Sequence, residues 1–240
     1  MKKVAIVTDT TACVPQEQVA ALGIEVVPVP LIIDGKTYRD GIDITPTEFY
    51  TMLRKAKKMP TTSSSSPGPY LEAFRNASRK GKSIICFTEP SKFSAMFNSA
   101  STAVQMARND LPGVPIEVME CGTAAAGQGL VAMAAARAAA EDKTMAEVQQ
   151  LAGNVMGKIN LFATLDTLHY LVNSGRVPQA AALVNSILNI KPIFTLNHND
   201  AHTVALPRTM KSAINRMLKL MAAAAKNQPL HVAVMHADAM

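Results

Sequence analysis

The stretch from Val4 to Ile33 constrains the fold more than any other part of this sequence. Val4-Ala5-Ile6-Val7 is a continuous apolar run, which suits a strand buried on both faces. Thr8-Asp9-Thr10-Thr11 follows as a polar turn, and Pro15 opens a helix reaching about Leu22. Ile24 to Ile33 is a second apolar, β-branched run, closed by Asp34-Gly35. A strand, a turn, a helix and a strand in that order is how an α/β domain begins, and polar residues then collect at the C-terminal ends of strands. Asp9 lies at such an end. Its carboxylate suits either of two roles, orienting a ligand's hydroxyls or capping the helix that Pro15 opens.

The same alternation continues to about Lys158. Thr45-Pro46-Thr47-Glu48 combines an N-cap, a proline at the first helical position and the Glu of a capping box. Ser83 to Thr88 and Ile116 to Met119 read as strands. Phe93, Phe97, Ala100, Val104 and Ala107 recur at helical spacing, which puts Ser94 near a helix start. Gly127 and Gly129 open an Ala-rich helix to about Ala140, and Thr144-Met145-Ala146-Glu147 is a second capping box, with Val148, Leu151, Val155 and Met156 turned inward.

The pattern changes at Ile159. Leu161 to Leu165 reads as a strand, followed by a short helix that stops at Ser174-Gly175 with Gly175 as its C-cap and Arg176 next. A helix over about Ala180–Leu188, a hairpin turning at Asn197-His198-Asn199-Asp200, and a helix over Met210–Ala225 follow. In that last helix Ile214, Met217, Leu218 and Met221 share one face. A last strand is expected from His231 to His236. The domain boundary falls near Lys158, giving domains 1–158 and 159–240.

Chemistry-bearing residues concentrate in few places. Six consecutive hydroxyl residues, Thr61 to Ser66, lie between Pro60 and Pro67. Such a run suits a flexible linker, or a loop whose hydroxyls and backbone N–H groups converge on an anion. It lies inside the first domain and so joins no two domains. Ser94 sits where unpaired N–H groups and the positive end of a helix favour an anion, although a cap is the commoner use of serine there.

Several function classes are disfavoured. The formal charge is +6, but no aromatic residues interleave the basic groups and no zinc-finger spacing occurs, so nucleic acid is not the expected partner. A second reading of the charge is transient contact with an anionic membrane surface or an acidic partner. Phe93-Ser94-Ala95-Met96 is not a nucleophile elbow, and none of His169, His198, His202, His231 or His236 is placed by a motif as a base, which leaves a serine-dependent acyl-ester hydrolase as the rival reading. No His/Cys/Asp spacing fits a metal site. Cys13, Cys86 and Cys121 are odd in number and far apart, and the N-terminus meets Asp9 too early for a signal peptide. Both point to a cytoplasmic protein with reduced thiols.

The ordered set of segments resembles the DegV family of bacterial fatty-acid-binding proteins. Val7-Thr8-Asp9-Thr10-Thr11 is similar to its first motif, and Tyr38 to Thr45 to its next segment. Pro60 to Gly68 resembles its Thr-Ser-Gln-Pro-Ser-Pro loop, and Ser91-Lys92-Phe93-Ser94-Ala95 its Ser-Lys-Leu-Ser-Gly motif. Asp166 to Leu171, Gly175-Arg176-Val177 and Ile190 to Ile193 are similar to its second domain. Ser64-Ser65 stand where the family usually has Gln-Pro, Ala95 replaces a usual Gly, and Glu120-Cys121 replaces Asp-Ser.

The resemblance implies two α/β domains, the first with a mainly parallel sheet, the second α+β with an antiparallel sheet. The family continues past the strand containing His236 with a His-x-Gly-Pro-Gly segment, so a shorter second domain lacking a sheet element is expected. It also implies a long-chain fatty acid as ligand, its acyl chain buried between or beneath the domains. Thr62, Ser63 and Ser94 would hold the carboxylate, with help from Arg176. No catalytic residue, cofactor or metal is implied. A separate fatty acid kinase would act on the presented acid, and a regulatory or structural protein with incidental lipid is a further alternative.

Overall fold

The computed structural model describes residues 1–63, 66–175, 190–197 and 199–238. Contacts divide the chain into two units, Met1–Lys158 together with the tail from Val234, and Ile159–Ala233.

The first unit is built on a parallel sheet of β1 (Lys2–Asp9), β2 (Glu25–Val27), β6 (Gly81–Thr88) and β7 (Ile116–Glu120), in the order β2-β1-β6-β7. Both central strands are buried along most of their length, as their continuous apolar runs require. Ala5, Val7, Ile84 and Cys86 pack with Tyr70 and Phe74 of α3 (Pro67–Ser78) and with Met96, Ala100 and Ala103 of α4 (Met96–Asp110). The helix α1 (Gln16–Leu22) links β1 to β2, and α2 (Pro46–Leu53) precedes the hydroxyl run. Further on, α5 (Ala126–Ala140) packs on β1 and β6, and α6 (Met145–Met156) packs on α5.

Both expected capping boxes form. Thr45 and Glu48 start α2 reciprocally, and Thr144 and Glu147 start α6 in the same way. In α6 the inward line runs through Val148 and Ala152, with Leu151, Val155 and Met156 half-buried. The helix expected from about Phe93 starts at Met96 instead, so Ser94 lies just before it.

The apolar run Ile24–Ile33 is not one strand. It splits into β2 of the parallel sheet and β3 (Pro30–Ile33) of a second, antiparallel sheet with β4 (Lys36–Arg39) and β5 (Thr61–Thr62), ordered β4-β3-β5. Pro28 and Pro30 are the physical reason. Neither has an N–H for a ladder, so the chain leaves one sheet between them and enters another.

The second unit holds an antiparallel sheet of β8 (Phe162–Thr164), β9 (Ile193–Asn197) and β10 (Asp200–Ala205), ordered β10-β9-β8. The expected hairpin joins β9 to β10, with Asn199 at φ 63 in its turn. The short helix α7 (His169–Ser174) ends at Gly175, whose φ of 69 gives the left-handed C-cap. Arg176, His198 and the helix expected at 180–188 lie outside the described residues.

Helix α8 (Met210–Ala225) has the expected bounds but a rotated packing face. Ala213 is buried and Met217 and Met221 are half-buried, whereas Ile214 and Leu218 are 49% and 52% exposed. The small Ala213 side chain lets the helix approach along its own line, which leaves one flank of the apolar arc uncovered. Residues 231–236 also differ from expectation. They form no strand and are exposed, since an alternating apolar segment becomes a strand only where a sheet edge pairs with it.

Candidate functional site

Connectivity locates the site before any side chain does. From β1 the chain steps through α1 to β2 on one side, and from β6 it steps through α4 to β7 on the other. The winding direction therefore reverses between β1 and β6, and crevices outside the carboxyl ends of strands at such a reversal are where α/β sheets bind ligands. The residues that leave these two ends are Asp9 to Ala12 after β1 and Glu89 to Ala95 after β6.

Asp9 ends β1 and is fully buried. Its Oδ1 accepts the Thr11 backbone N–H at 3.0 Å and also the Thr11 hydroxyl, which caps the 3-10 turn Thr10–Ala12. Asp9 does not cap the helix α1, whose N-cap is Pro15 with no side-chain cap; the 3-10 turn comes between them and takes the carboxylate. Its Oδ2 accepts the hydroxyl of Tyr70, from the first turn of α3, at 2.9 Å. The amide of Gln128, from the first turn of α5, donates to Thr8 Oγ1 at 2.9 Å, to the Phe87 carbonyl at 3.2 Å and to Asp9 Oδ1 at 3.4 Å. Burial pushes the Asp9 carboxyl above the ordinary aspartate range, and its bonds to Thr11, Tyr70 and Gln128 oppose that rise. Burial first, and then the Asp9 charge, pushes the Tyr70 phenol up as well.

Gln128 reaches this position because α5 lies very close to the turn after β1. A Cβ on Gly129 would fall inside van der Waals contact with the Ala12 carbonyl oxygen, so only glycine permits the approach. At Gly127 a Cβ would stand 2.7 Å from Thr123 Oγ1. The buried Thr88 hydroxyl, at the end of β6, has no hydrogen-bond partner among the described residues.

The hydroxyl run meets this framework at its edges. Thr61 and Thr62 pair with Ile32 and Leu31 as the short strand β5, and the Ser63 N–H donates to the Pro30 carbonyl at 3.2 Å. Among the described residues, the hydroxyls of Thr62 and Ser63 are committed to no other protein group. Ser64 and Ser65 lie outside the described residues. Prolines at the first and third positions of α3 remove two of the N–H groups that a helix start normally offers, so hydroxyl donors weigh more for an anion there.

Ser94 has a different setting. It is half-buried and its Oγ accepts the Met96 N–H at a long 3.4 Å. The N-cap residue Ala95 offers no side-chain cap, so beyond the Met96 N–H this helix start leaves N–H groups for an anion beside the Ser94 hydroxyl. Glu120 steadies the approach to Ser94 by accepting the Ser91 N–H. No histidine among the described residues is hydrogen-bonded to Ser94. No group of three or more metal-ligating side chains occurs among the described residues, and no described helix is long and apolar enough to cross a membrane.

Comparison with known proteins addresses the family. Residues 3–240 match the family described as "Uncharacterised protein, DegV family". The chain belongs to the DegV family. A DegV domain-containing protein of Caldanaerobacter subterraneus subsp. tengcongensis is 34% identical over 92% of this chain and 77% of the relative. Another from Listeria monocytogenes is 31% identical over 95% and 79%. Among solved structures, a DegV family protein from Thermus thermophilus described for its fatty acid binding superposes with a TM-score of 0.83 at 29% identity, covering 95% of this chain and 79% of that one. A stearic acid-binding protein from Eubacterium ventriosum gives 0.85 at 26% identity, covering 94% and 77%. The mixed α/β architecture, with a parallel sheet and antiparallel sheets, is that of DegV structures.

Three residues bonded to Asp9, namely Tyr70, Gln128 and Thr11, are not singled out as site residues by the sequence. The available signal was polarity at a buried helical position. Gln128 interrupts an otherwise small and apolar helix face, next to Gly129, which permits the close approach to the turn after β1.

Proposed function

We propose that this protein binds a long-chain fatty acid and carries it, rather than transforming it. Thr62, Ser63 and Ser94 hold the carboxylate, Arg176 adds positive charge, and the acyl chain is buried in an apolar interior. The observation that supports this reading most is the Ser94 hydroxyl at the start of α4, on the β6 side of the reversal of the sheet, together with Thr62 and Ser63 hydroxyls that are committed to no other protein group among the described residues. Hydroxyl donors suit such a site because they satisfy a carboxylate when it is present and turn to water when it is not. The tail supplies affinity, at about 0.8 kcal/mol per buried CH₂, and the head supplies register. The fatty acid binding described for the Thermus thermophilus and Eubacterium ventriosum proteins supports the same reading.

The carrier reading extends to a partner. A cytoplasmic fatty acid kinase acts on the carboxylate that this protein presents, so the protein itself needs no catalytic residue or cofactor. The domains assigned to the two tasks are 1–158 for the head group and 159–240 for the remainder of the fold. The basic surface serves transient contact with an anionic membrane from which the acid is drawn.

Native mass spectrometry with lipid extraction tests the core of this proposal. The purified protein, or the delipidated protein after incubation with oleate, is expected to show one bound long-chain fatty acid. Thr62→Val and Ser94→Ala are each expected to weaken oleate binding about ten-fold, as loss of one hydrogen bond to a charged group would. Binding unchanged in both variants would refute the head-group assignment, and no binding of oleate by the wild type would refute the function.

A further inference from the structure

We propose that Tyr70 and Asp9 act as positioning residues for the carboxylate loop, fixing where Thr62 and Ser63 stand without touching the ligand. This inference rests on the fatty acid reading of the loop given above.

The geometry ties both ends of the loop to one turn. On the entry side, the Val29 N–H donates to the Thr10 hydroxyl at 3.1 Å, and the next residue, Pro30, accepts the Ser63 N–H at 3.2 Å. On the exit side, Tyr70 reaches from the first turn of α3 to Asp9 Oδ2 at 2.9 Å. Asp9 is itself fixed by the Thr11 N–H and hydroxyl. The turn Asp9–Ala12 is therefore linked to Ser63, within the hydroxyl run, through Val29 and Pro30, and directly to Tyr70 just after the run. Gln128 and the glycine contact of α5 brace the same turn from a third element.

Packing alone does not call for these groups. Tyr70 is buried among apolar residues of the main core, where phenylalanine would fill nearly the same volume. The hydroxyl adds direction. It fixes the rotation of the first turn of α3 relative to the end of β1, and that turn begins only a few residues after Ser63. A buried phenol needs a partner, and a buried carboxyl is costly unless it is hydrogen-bonded, so the pair has one preferred arrangement. The partners of Asp9 are all neutral donors, so the tie is a matter of hydrogen-bond geometry and not of charge pairing.

The test compares two ligands of one tail, oleate and oleyl alcohol, on the full chain. Displacement of a fluorescent fatty acid analogue gives both affinities, and thermal melts confirm that each variant is folded. The wild type is expected to prefer the acid, and Thr62→Val to erode that preference. Tyr70→Phe and Asp9→Ala are expected to lower the acid-to-alcohol affinity ratio three- to ten-fold. Asp9→Asn, which keeps an acceptor for Thr11 and can hydrogen-bond the Tyr70 hydroxyl, is expected to stay within about two-fold of the wild-type ratio. A purely structural role would weaken both ligands equally and leave the ratio unchanged.

An unchanged ratio in Tyr70→Phe, with the preference eroded in Thr62→Val, would overturn the positioning role and leave the binding reading intact. A wild type without acid preference, or one indifferent to Thr62→Val, would overturn the head-group reading and the positioning role with it. A loss in Asp9→Asn as large as in Asp9→Ala would overturn the hydrogen-bond argument.

Discussion

The same substitution is expected to act with opposite sign at two glycines of the first unit. Gly153 lies in α6 with nothing within 4 Å of the position its Cβ would occupy. Gly153→Ala therefore gains helix propensity without a clash, stabilising by about 0.5–1 kcal/mol. Gly129 lies in α5, where a Cβ would fall inside van der Waals contact with the Ala12 carbonyl oxygen and 3.4 Å from Val14 Cγ2. A backbone carbonyl cannot swing aside, so α5 must shift away from β1. Overpacking of this kind costs roughly 1–3 kcal/mol, and the propensity gain offsets up to about 1 kcal/mol of it. The net expectation for Gly129→Ala is destabilisation by about 1–2 kcal/mol. For a chain of this size each kcal/mol moves Tm by about 2–4 °C. Thermal unfolding followed by far-UV circular dichroism should thus separate the variants, Gly153→Ala melting above the wild type and Gly129→Ala below it. Gly129→Ala melting at or above the wild type would refute the close approach of α5 to the turn after β1, and with it the placement of Gln128 beside Asp9.

Three further expectations follow from particular groups. The Asp9 carboxyl is raised in the folded state, so its contribution to stability is greatest below the unfolded aspartate value and falls as pH rises through the folded one. The stability of the wild type minus that of Asp9→Asn should accordingly decline from pH 4 to pH 7 in urea titrations, and a rising difference would refute a disfavoured buried charge. Asp43 is exposed, and the bonds from the Arg39 guanidinium and backbone N–H hold its carboxyl down at about 2. Its NMR titration should return toward the usual carboxylate range in Arg39→Ala. Thr88→Val removes a buried hydroxyl that lacks a partner among the described residues and should stabilise by about 1 kcal/mol in chemical denaturation.

Local signals in the sequence translated directly where one segment decides its own structure. Thr45-Pro46-Thr47-Glu48 and Thr144 to Glu147 contain both halves of a capping box, so their helix starts needed no tertiary information. Gly175 likewise marked a left-handed C-cap by itself. Features that depend on a neighbour were illegible. The break of Ile24–Ile33 into two sheets depends on what lies on either side of Pro28 and Pro30. The exposure of Ile214 and Leu218 depends on which flank of α8 a neighbour covers, and the irregular course of residues 231–236 on whether a sheet edge meets them. In the candidate site, the run Thr61–Ser66 stands out by composition and Ser94 by its place at a helix start, while Thr62 and Ser63 are picked out within the run only by the family resemblance. The Asp9–Tyr70 pair does not stand out, because its two members are 61 positions apart and only the fold brings them together.

The burial of Tyr70 has an optical consequence. The chain has no tryptophan and four tyrosines, so tyrosine alone governs its near-ultraviolet spectrum and its emission. Tyr38 and Tyr50 are half-buried and Tyr170 is exposed, whereas Tyr70 is sealed in the core with its phenol bonded to a carboxyl. A phenol held in this way gives a fixed, chiral signal and loses emission to proton transfer in the excited state. The contact between α3 and the end of β1 thus carries a built-in chromophore, which responds when the Asp9 contact loosens.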